Sequence, residues 1–571
     1  MKSYLDFKPA KCRDCYKCLR SCPVKAITMQ GHQAKIIDDR CILCGTCTNI
    51  CPQNAKFVHS EIADVKALLS SGKRIVASVA PSFVSSFGTD DFSVMKIALG
   101  KLGFADAQET AIGAQRVTAE YKKLLEGGTY KNFITSACPA INRMIELYYP
   151  AALPYLAKVD SPMIAHAKLI RDEQPDAKIV FIGPCIAKKR EADESGIVDA
   201  VLTFEDLQNM FAEAGIDLNE ITRLPSNGTQ PRNRAKVYPV SRGIIKSFDE
   251  LPDGYEYIAA DGIKRCADIL EHIDEVSGLF LELNVCEYAC VKGPCSLIDP
   301  ELAIKATSEV RNYASKDMAD NGAPTLKTKD IDVTTSFKRL QSSGNVISER
   351  VIKEILAKTG KVKPEDELNC GACGYATCRE KAWAVANGFA DVEMCLPYMR
   401  DRAETMSYEI LQNSPYGIIA IDSDLRIVDI NQNARLIIGI PNDGRNVKGE
   451  NLVDYLDPTD FIIAEQSGHR VTSQKITIPK THKIIDLTIT VLKEHRVMFG
   501  IFKDITAQAD FEAKLNKVRM DTIATTDEVI KKQMRVAQEI AGLLGETTAE
   551  TKVALLQLKK ALTENPEGEN K

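Results

Sequence analysis

Cys12-x2-Cys15-x2-Cys18-x3-Cys22-Pro23 recurs as Cys41-x2-Cys44-x2-Cys47-x3-Cys51-Pro52. No other feature limits the folding of this chain as strongly, because all these thiols must converge on something. Three closely spaced thiolates wrap one corner of an iron–sulfur cubane, and a fourth reaches across from the other run. Two such runs supply eight thiols, enough for two 4Fe-4S clusters. A structural zinc ribbon also uses CxxC pairs. It does not need a duplicated run with a proline after each fourth cysteine.

At 571 residues the chain is too long for one core, so several domains are expected. A hydrophobic share of 44% and a charged share of 26% describe an ordinary globular protein. The net charge of -5 argues against a nucleic-acid or anionic-membrane partner. No apolar run approaches the roughly eighteen residues a membrane span requires, and MKSYLDFKPAKC lacks the apolar core of a signal peptide. A cytoplasmic location is expected, where cysteines stay reduced and mean metal or catalysis. Of eighteen cysteines, eight fall in the duplicated run and four lie from Cys370 to Cys395. The other six are Cys138, Cys185, Cys266, Cys286, Cys290 and Cys295, and none follows Cys395. The duplicated run resembles that of bacterial two-cluster ferredoxins, which implies an electron-transfer domain over residues 1–57, with Cys12, Cys15, Cys18 and Cys51 holding one 4Fe-4S cluster and Cys22, Cys41, Cys44 and Cys47 the second.

Residues 73–300 read as buried strands alternating with helices, an α/β pattern. Apolar β-rich runs at Arg74–Ala80, Lys178–Gly183 and Gly278–Leu283 are separated by helical stretches such as Phe204–Ala214. Cys138, Cys185 and Cys286 stand at strand ends, where α/β folds place their sites. With Cys290 they supply enough thiols for another cubane.

Here the motifs TSACPAI, PCIAKKRE and ELNVCEYACVKGPC resemble, in order, the three signatures of FeFe hydrogenases. VDAVLTFEDL at 198–207 is similar to the segment after the second signature. The resemblance implies an H-cluster domain over 58–345. Cys138, Cys185, Cys286 and Cys290 would hold its 4Fe-4S part, and Cys290 would also bridge to a two-iron subsite bearing CO and CN ligands. It places Lys188 at the lysine that hydrogen-bonds a cyanide, a role that suits a point cation.

The chain departs from the family in three places. Ala137 replaces the cysteine that relays protons to the subsite, Asn284 replaces a methionine, and Gly293-Pro294-Cys295 replaces a glycine tail. A methyl group cannot carry a proton, so turnover is expected to be slow or rerouted. Glu287 and Cys295 are the candidates for a rerouted path. Glu282 reads as a structural partner and Cys266 as a packed thiol.

Cys370-x2-Cys373-x4-Cys378-x16-Cys395 forms a third module over 346–400. It resembles the small 4Fe-4S domain of electron-transfer and corrinoid-pathway proteins, with a helix at Thr377–Asn387 returning the chain to the remote Cys395. A structural zinc site is the alternative.

Residues 401–508 resemble a PAS domain, from YEILQNSPYGIIAIDSDLRIVDINQNARLIIG to VMFGIFKDITAQ. Lacking cysteine, it cannot form a flavin–cysteine photoadduct, and His469, His482 and His495 read as surface residues rather than haem ligands. In the tail, 509–571, Phe511, Leu515, Val518, Thr522, Thr525, Val529, Val536, Ile540 and Leu543 mostly alternate in steps of three and four. That is a coiled-coil seam or the face of one helix docking on its own PAS domain. Leu543-Leu544-Gly545 ends it, ahead of a second helix at Thr548–Leu562 and a polar tail.

The expected fold is therefore multidomain α/β and α+β: ferredoxin fold, α/β H-cluster domain, small helical 4Fe-4S domain, PAS domain and C-terminal helices. The resemblance implies a sensory FeFe hydrogenase of low turnover, acting on H2 and protons. It would exchange electrons with ferredoxin or another redox carrier and dimerise through PAS and coiled coil. No kinase or ATP-binding motif is present, so output would pass to a separate serine/threonine phosphatase or kinase. A metabolic ferredoxin-dependent hydrogenase is one alternative, and an iron–sulfur protein without the two-iron subsite is another.

Overall fold

The computed structural model describes all residues except 1, 31–32, 222–230, 319–324, 343, 442–445, 493–495, 542–547 and 564–571. Two compact units result, Met1–Met399 and Arg400–Lys571. Among the described residues no helix is long and apolar enough to cross a membrane.

The duplicated cysteine run folds as a duplicated backbone. Left-handed residues recur at Asp14 and Leu43, at Tyr16 and Gly45, and at Lys25 and Asn54, the same places in each copy. Short helices Lys17–Ser21 and Thr46–Asn49 follow the Tyr16 and Gly45 turns and carry Cys18 and Cys47. Antiparallel pairs Leu5–Phe7 with Lys56–Val58, and Ile27–Gln30 with Gln33–Ile36, brace the two loops.

The α/β expectation for the central segment holds. One parallel sheet runs in the order Asp106–Glu109, Ile75–Val79, Lys178–Gly183, Ala200–Thr203. A second places Leu279–Asn284 between Glu256–Asp261 and Phe133–Ile134. Every residue of Ile75–Val79 is buried, which explains its uninterrupted apolar sequence. The strand expected to end at Cys138 is short: Phe133–Ile134 stops before Thr135–Ala137. Its pairing ends where Ser136 turns away, its Oγ donating to the Val159 carbonyl at 2.6 Å and its amide to Tyr121 Oη at 2.9 Å.

In the third module, Glu349–Lys358 packs on Cys378–Ala386. Thr377 caps the second helix by accepting from Glu380 N.

The second unit holds a five-stranded antiparallel sheet in the order Ile427–Ile430, Gly417–Asp422, Val497–Asp504, Ile484–Leu492, Val471–Thr477. Phe461 and Phe502 are fully buried in its core. A helix of 36 residues, Thr506–Ala541, follows, about 54 Å long. Thr548–Thr563 packs against it, with Lys559 and Asp527 paired at 2.9 Å. The expected stop at Leu543–Gly545, the polar end of the tail and His495 lie outside the described residues.

Candidate functional site

Both sheets deliver thiols to one place. Cys185 follows Lys178–Gly183 of the first sheet. From the second come Cys138, the N-cap of Pro139–Tyr148, and Cys286, two residues beyond Leu279–Asn284. Cys290 sits in the short turn Ala289–Lys292, entered through left-handed Tyr288 and Ala289. The thiols lie close enough to shift one another. Burial first, then Cys185, Cys138 and Cys290, push the Cys286 thiol well up. Burial and Cys138 raise Cys185 to about 11, against the opposing pull of Lys188. Cys290 keeps open surface, yet its thiol is pushed up by desolvation, Cys138 and Cys185, and pulled down by Lys188.

Lys188 is no solvated surface residue. It is 8% exposed, and its Nζ donates to Ser161 Oγ at 2.8 Å and Glu191 Oε2 at 2.7 Å. Those partners, absent from the sequence reading, aim the ammonium beside Cys185 and Cys290. Spacing alone could have found Glu191, which lies one turn along the same helix.

The candidates for a rerouted proton path separate. Cys295 is buried near Cys185, its amide donating to the Pro184 carbonyl at 3.0 Å. Glu287 is exposed, 3.6 Å from Lys292. The two are not brought together by a hydrogen bond among the described residues. Glu282 is fully buried and accepts from the amides of Gly243 and Ile245 at 3.0 and 3.1 Å, a structural partner that holds the start of the helix Gly243–Ser247. Asn284 Nδ2 donates to Asp261 at 3.1 Å. Cys266 is fully buried with its S–H towards the Ala260 and Asn284 carbonyls, a packed thiol as expected.

The second ferredoxin site adjoins this centre, for Cys44 contributes to the raised thiol of Cys286. A Cβ on Gly45 would lie 2.2 Å from Pro294 Cβ, so the two loops meet at a glycine. Cys22, Cys41 and Cys47 all feel Cys44, as one shared site requires. Cys12, Cys15, Cys18 and Cys51 line a single cavity. Backbone amides donate to sulfur at matching places, Ala26 to Cys22 at 3.3 Å and Ala55 to Cys51 at 3.4 Å. Such N–H···S bonds favour a thiolate.

Cys370, Cys373, Cys378 and Cys395 line another cavity together. Lys361 and Lys381 share that lining. Neither was singled out from the sequence, although Lys381 follows Cys378 by three residues on one helix face. Among the described residues no three His, Cys, Asp or Glu side chains stand close enough for a single ion. His469 and His482 are exposed.

Four segments of the chain match models of known families. Residues 73–294 fit the model of the C-terminal domain of the iron-only hydrogenase large subunit. Residues 11–55 fit a 4Fe-4S dicluster domain, 366–397 an Fe-S cluster model, and 405–505 the PAS fold. The periplasmic [Fe] hydrogenase large subunit of Nitratidesulfovibrio vulgaris is 30% identical over 310 residues, 41% of this chain and 74% of that one. Iron hydrogenase 1 of Clostridium pasteurianum is 30% identical over 249 residues, 31% of this chain and 43% of that one. The cytosolic Fe-S cluster assembly factor NAR1 of Eremothecium gossypii is 25% identical over 215 residues, 34% of this chain and 48% of that one.

Proposed function

The chain belongs to the iron-only hydrogenase family, and on that premise we propose that it is a sensory FeFe hydrogenase. It would oxidise H2 and reduce protons slowly, coupling hydrogen or redox state to its PAS domain and terminal helices. The observation that carries this is the mutual coupling of Cys138, Cys185, Cys286 and Cys290 beside a buried Lys188, with Ala137 in the relay position.

Those four cysteines would hold the H-cluster, whose two-iron subsite supplies the chemistry of splitting and forming H2. The chain's own groups supply the rest. Lys188, fixed by Ser161 and Glu191, presents an ammonium to an anionic ligand. The Ala137 methyl cannot pass a proton inward, which supports slow turnover. The ferredoxin sites and the 370–395 site would carry electrons to and from a redox carrier such as ferredoxin. Cys395 directly precedes the helix Leu396–Gln412, whose Leu411 carbonyl accepts from Asn431 Nδ2 at 2.8 Å, a covalent route from the last ligand to the PAS domain. Output would pass through a homodimer of the tail to a separate signalling protein, such as a serine/threonine phosphatase or kinase, in the cytoplasm.

Infrared spectroscopy of the maturated protein tests the site: bands of bound cyanide and carbon monoxide are expected. Their absence from protein with all its cubanes loaded would favour the second reading, an iron–sulfur protein without the subsite. That reading draws on the likeness to NAR1 and on Asn284 and Pro294. Turnover tests the sensory part. Slow hydrogen oxidation that rises in Ala137→Cys is expected, whereas fast turnover in the unaltered chain would mark a metabolic enzyme.

A further inference from the structure

We infer that Lys361 and Lys381 make the third module's cluster the electron sink of the chain, holding its reduction potential above those of both ferredoxin clusters. The inference rests on the proposal that 370–395 is a 4Fe-4S site, and assigns that site its place in the electron path.

Lys361 is 8% and Lys381 5% exposed, and both line the cavity of Cys370, Cys373, Cys378 and Cys395. Lys361 Nζ donates to Cys395 Sγ at 3.3 Å and to the Thr359 carbonyl at 3.0 Å. Lys381 Nζ donates to the Val392 carbonyl at 2.9 Å. These bonds go to a thiol and to carbonyls, and the Asp391 carboxylate, which also favours the Lys381 ammonium, acts on it less than Cys395 and Cys373 do. Lysine is almost never buried without a counter-charge, and an ammonium taken from water costs several kcal/mol unless an anion offsets it. Four thiolates on an iron–sulfur cube form such an anion, and one electron makes it more negative. Cations in a low-dielectric wall therefore favour the reduced state, as do N–H···S bonds.

The ferredoxin sites have N–H···S bonds of their own, from Ala26 and Ala55, but no lysine buried as deeply. In the lining of the first, Arg13 and Lys17 are exposed, so water screens their charge, and Lys56, which reaches Cys18, is only half-buried. Beside the second, Arg190 donates to the Cys41 carbonyl oxygen at 2.6 Å rather than to sulfur. The third site is also in reach. Tyr375, 3% exposed, feels both Cys373 and Cys22. Gly374, at φ +91°, rests its backbone against Arg20, whose Cα would lie 2.8 Å from a Cβ there. One electron leaving a ferredoxin cluster can thus reduce the third cluster, with no bond made and no proton moved.

Potentiometric titration of the full chain, followed by electron paramagnetic resonance, tests this. The signal lost in Cys378→Ala belongs to the third module, and it should develop at higher potential than the ferredoxin signals. Lys381→Met and Lys361→Met should each disfavour its reduction at least tenfold, about 59 mV for one electron. Lys381→Arg should restore it. A third-module midpoint below the ferredoxin midpoints overturns the inference, and so do unchanged midpoints in both methionine variants with iron retained. If a variant loses its iron, the order of midpoints in the unaltered chain decides alone. Iron one cluster short in the unaltered chain overturns the cluster assignment itself, a failure visible before any titration.

Discussion

Gly45 stands between Cys44 and Thr46 at φ +73°, where a side chain would be strained, and its missing Cβ is the space Pro294 occupies. Gly45→Ala should therefore combine a left-handed penalty of about 1–2 kcal/mol with overpacking of about 1–3 kcal/mol. A lowered thermal midpoint of the first unit is expected, and an unchanged midpoint would show that the loops do not meet there. Pro294 was legible as a departure from the family's glycines, but its contact with Gly45 joins residues far apart in sequence that no local pattern connects. Glu282 makes a pH prediction. Desolvation raises its carboxyl to about 8, the amides of Ile245 and Gly243 opposing. The folded state then holds the proton more tightly than the unfolded one. Its stabilisation is complete below pH 4.5 and is lost as pH rises from there to about 8, by several kcal/mol at about 1.4 per unit. Denaturant unfolding at pH 5 and pH 8 should show that loss, and Glu282→Gln should remove the slope while leaving a constant offset.

At the scale of elements, periodicity was the readable signal where burial is one-sided or complete. The run Ile75–Val79 and the helix Phe204–Glu213 fall where their patterns predict. Phe133–Ile134 is shorter than its apolar run suggests, because Tyr121 and Val159 take the Ser136 groups that would extend the ladder. For the helix Thr506–Ala541 the sequence left two partners open. Phe511, Val518 and Val529 are 67%, 60% and 52% exposed, so this face is not spent on the PAS sheet of the same chain. A second copy is the partner that a three-four seam fits. For the proposed homodimer, Val529→Glu should weaken association at least tenfold, read as a fall in mass by analytical ultracentrifugation. A mass unaffected by the charge would remove the seam from the interface.

Across the whole molecule, the cysteine segments look like separate modules in sequence, and the first unit packs three of them into one core. Leu19 and Ile27 of the ferredoxin module, Ile141 and Leu283 of the hydrogenase domain, and Tyr375 and Met394 of the third module belong to a single buried cluster. Cysteine spacing could announce the duplicated run and the 370–395 run, whose candidate ligands lie close in sequence, whereas Cys138, Cys185 and Cys286 are far apart and were legible only through strand ends and motifs. Spacing could not announce the docking, which depends on side chains hundreds of residues apart. Arg40 is such a side chain: its guanidinium lies 5.5 Å from the Trp383 ring and 5.1 Å from the Phe389 ring. Cation–π contacts of this kind contribute about 0.5–2 kcal/mol each. Trp383 is the chain's one tryptophan, so its fluorescence reports this docking directly. Arg40→Ala should shift the emission to the red and lower hydrogen-exchange protection in Cys378–Ala386 by about 2- to 30-fold. Unchanged emission with unchanged protection would mean that the third module is held to the ferredoxin face by its apolar contacts alone.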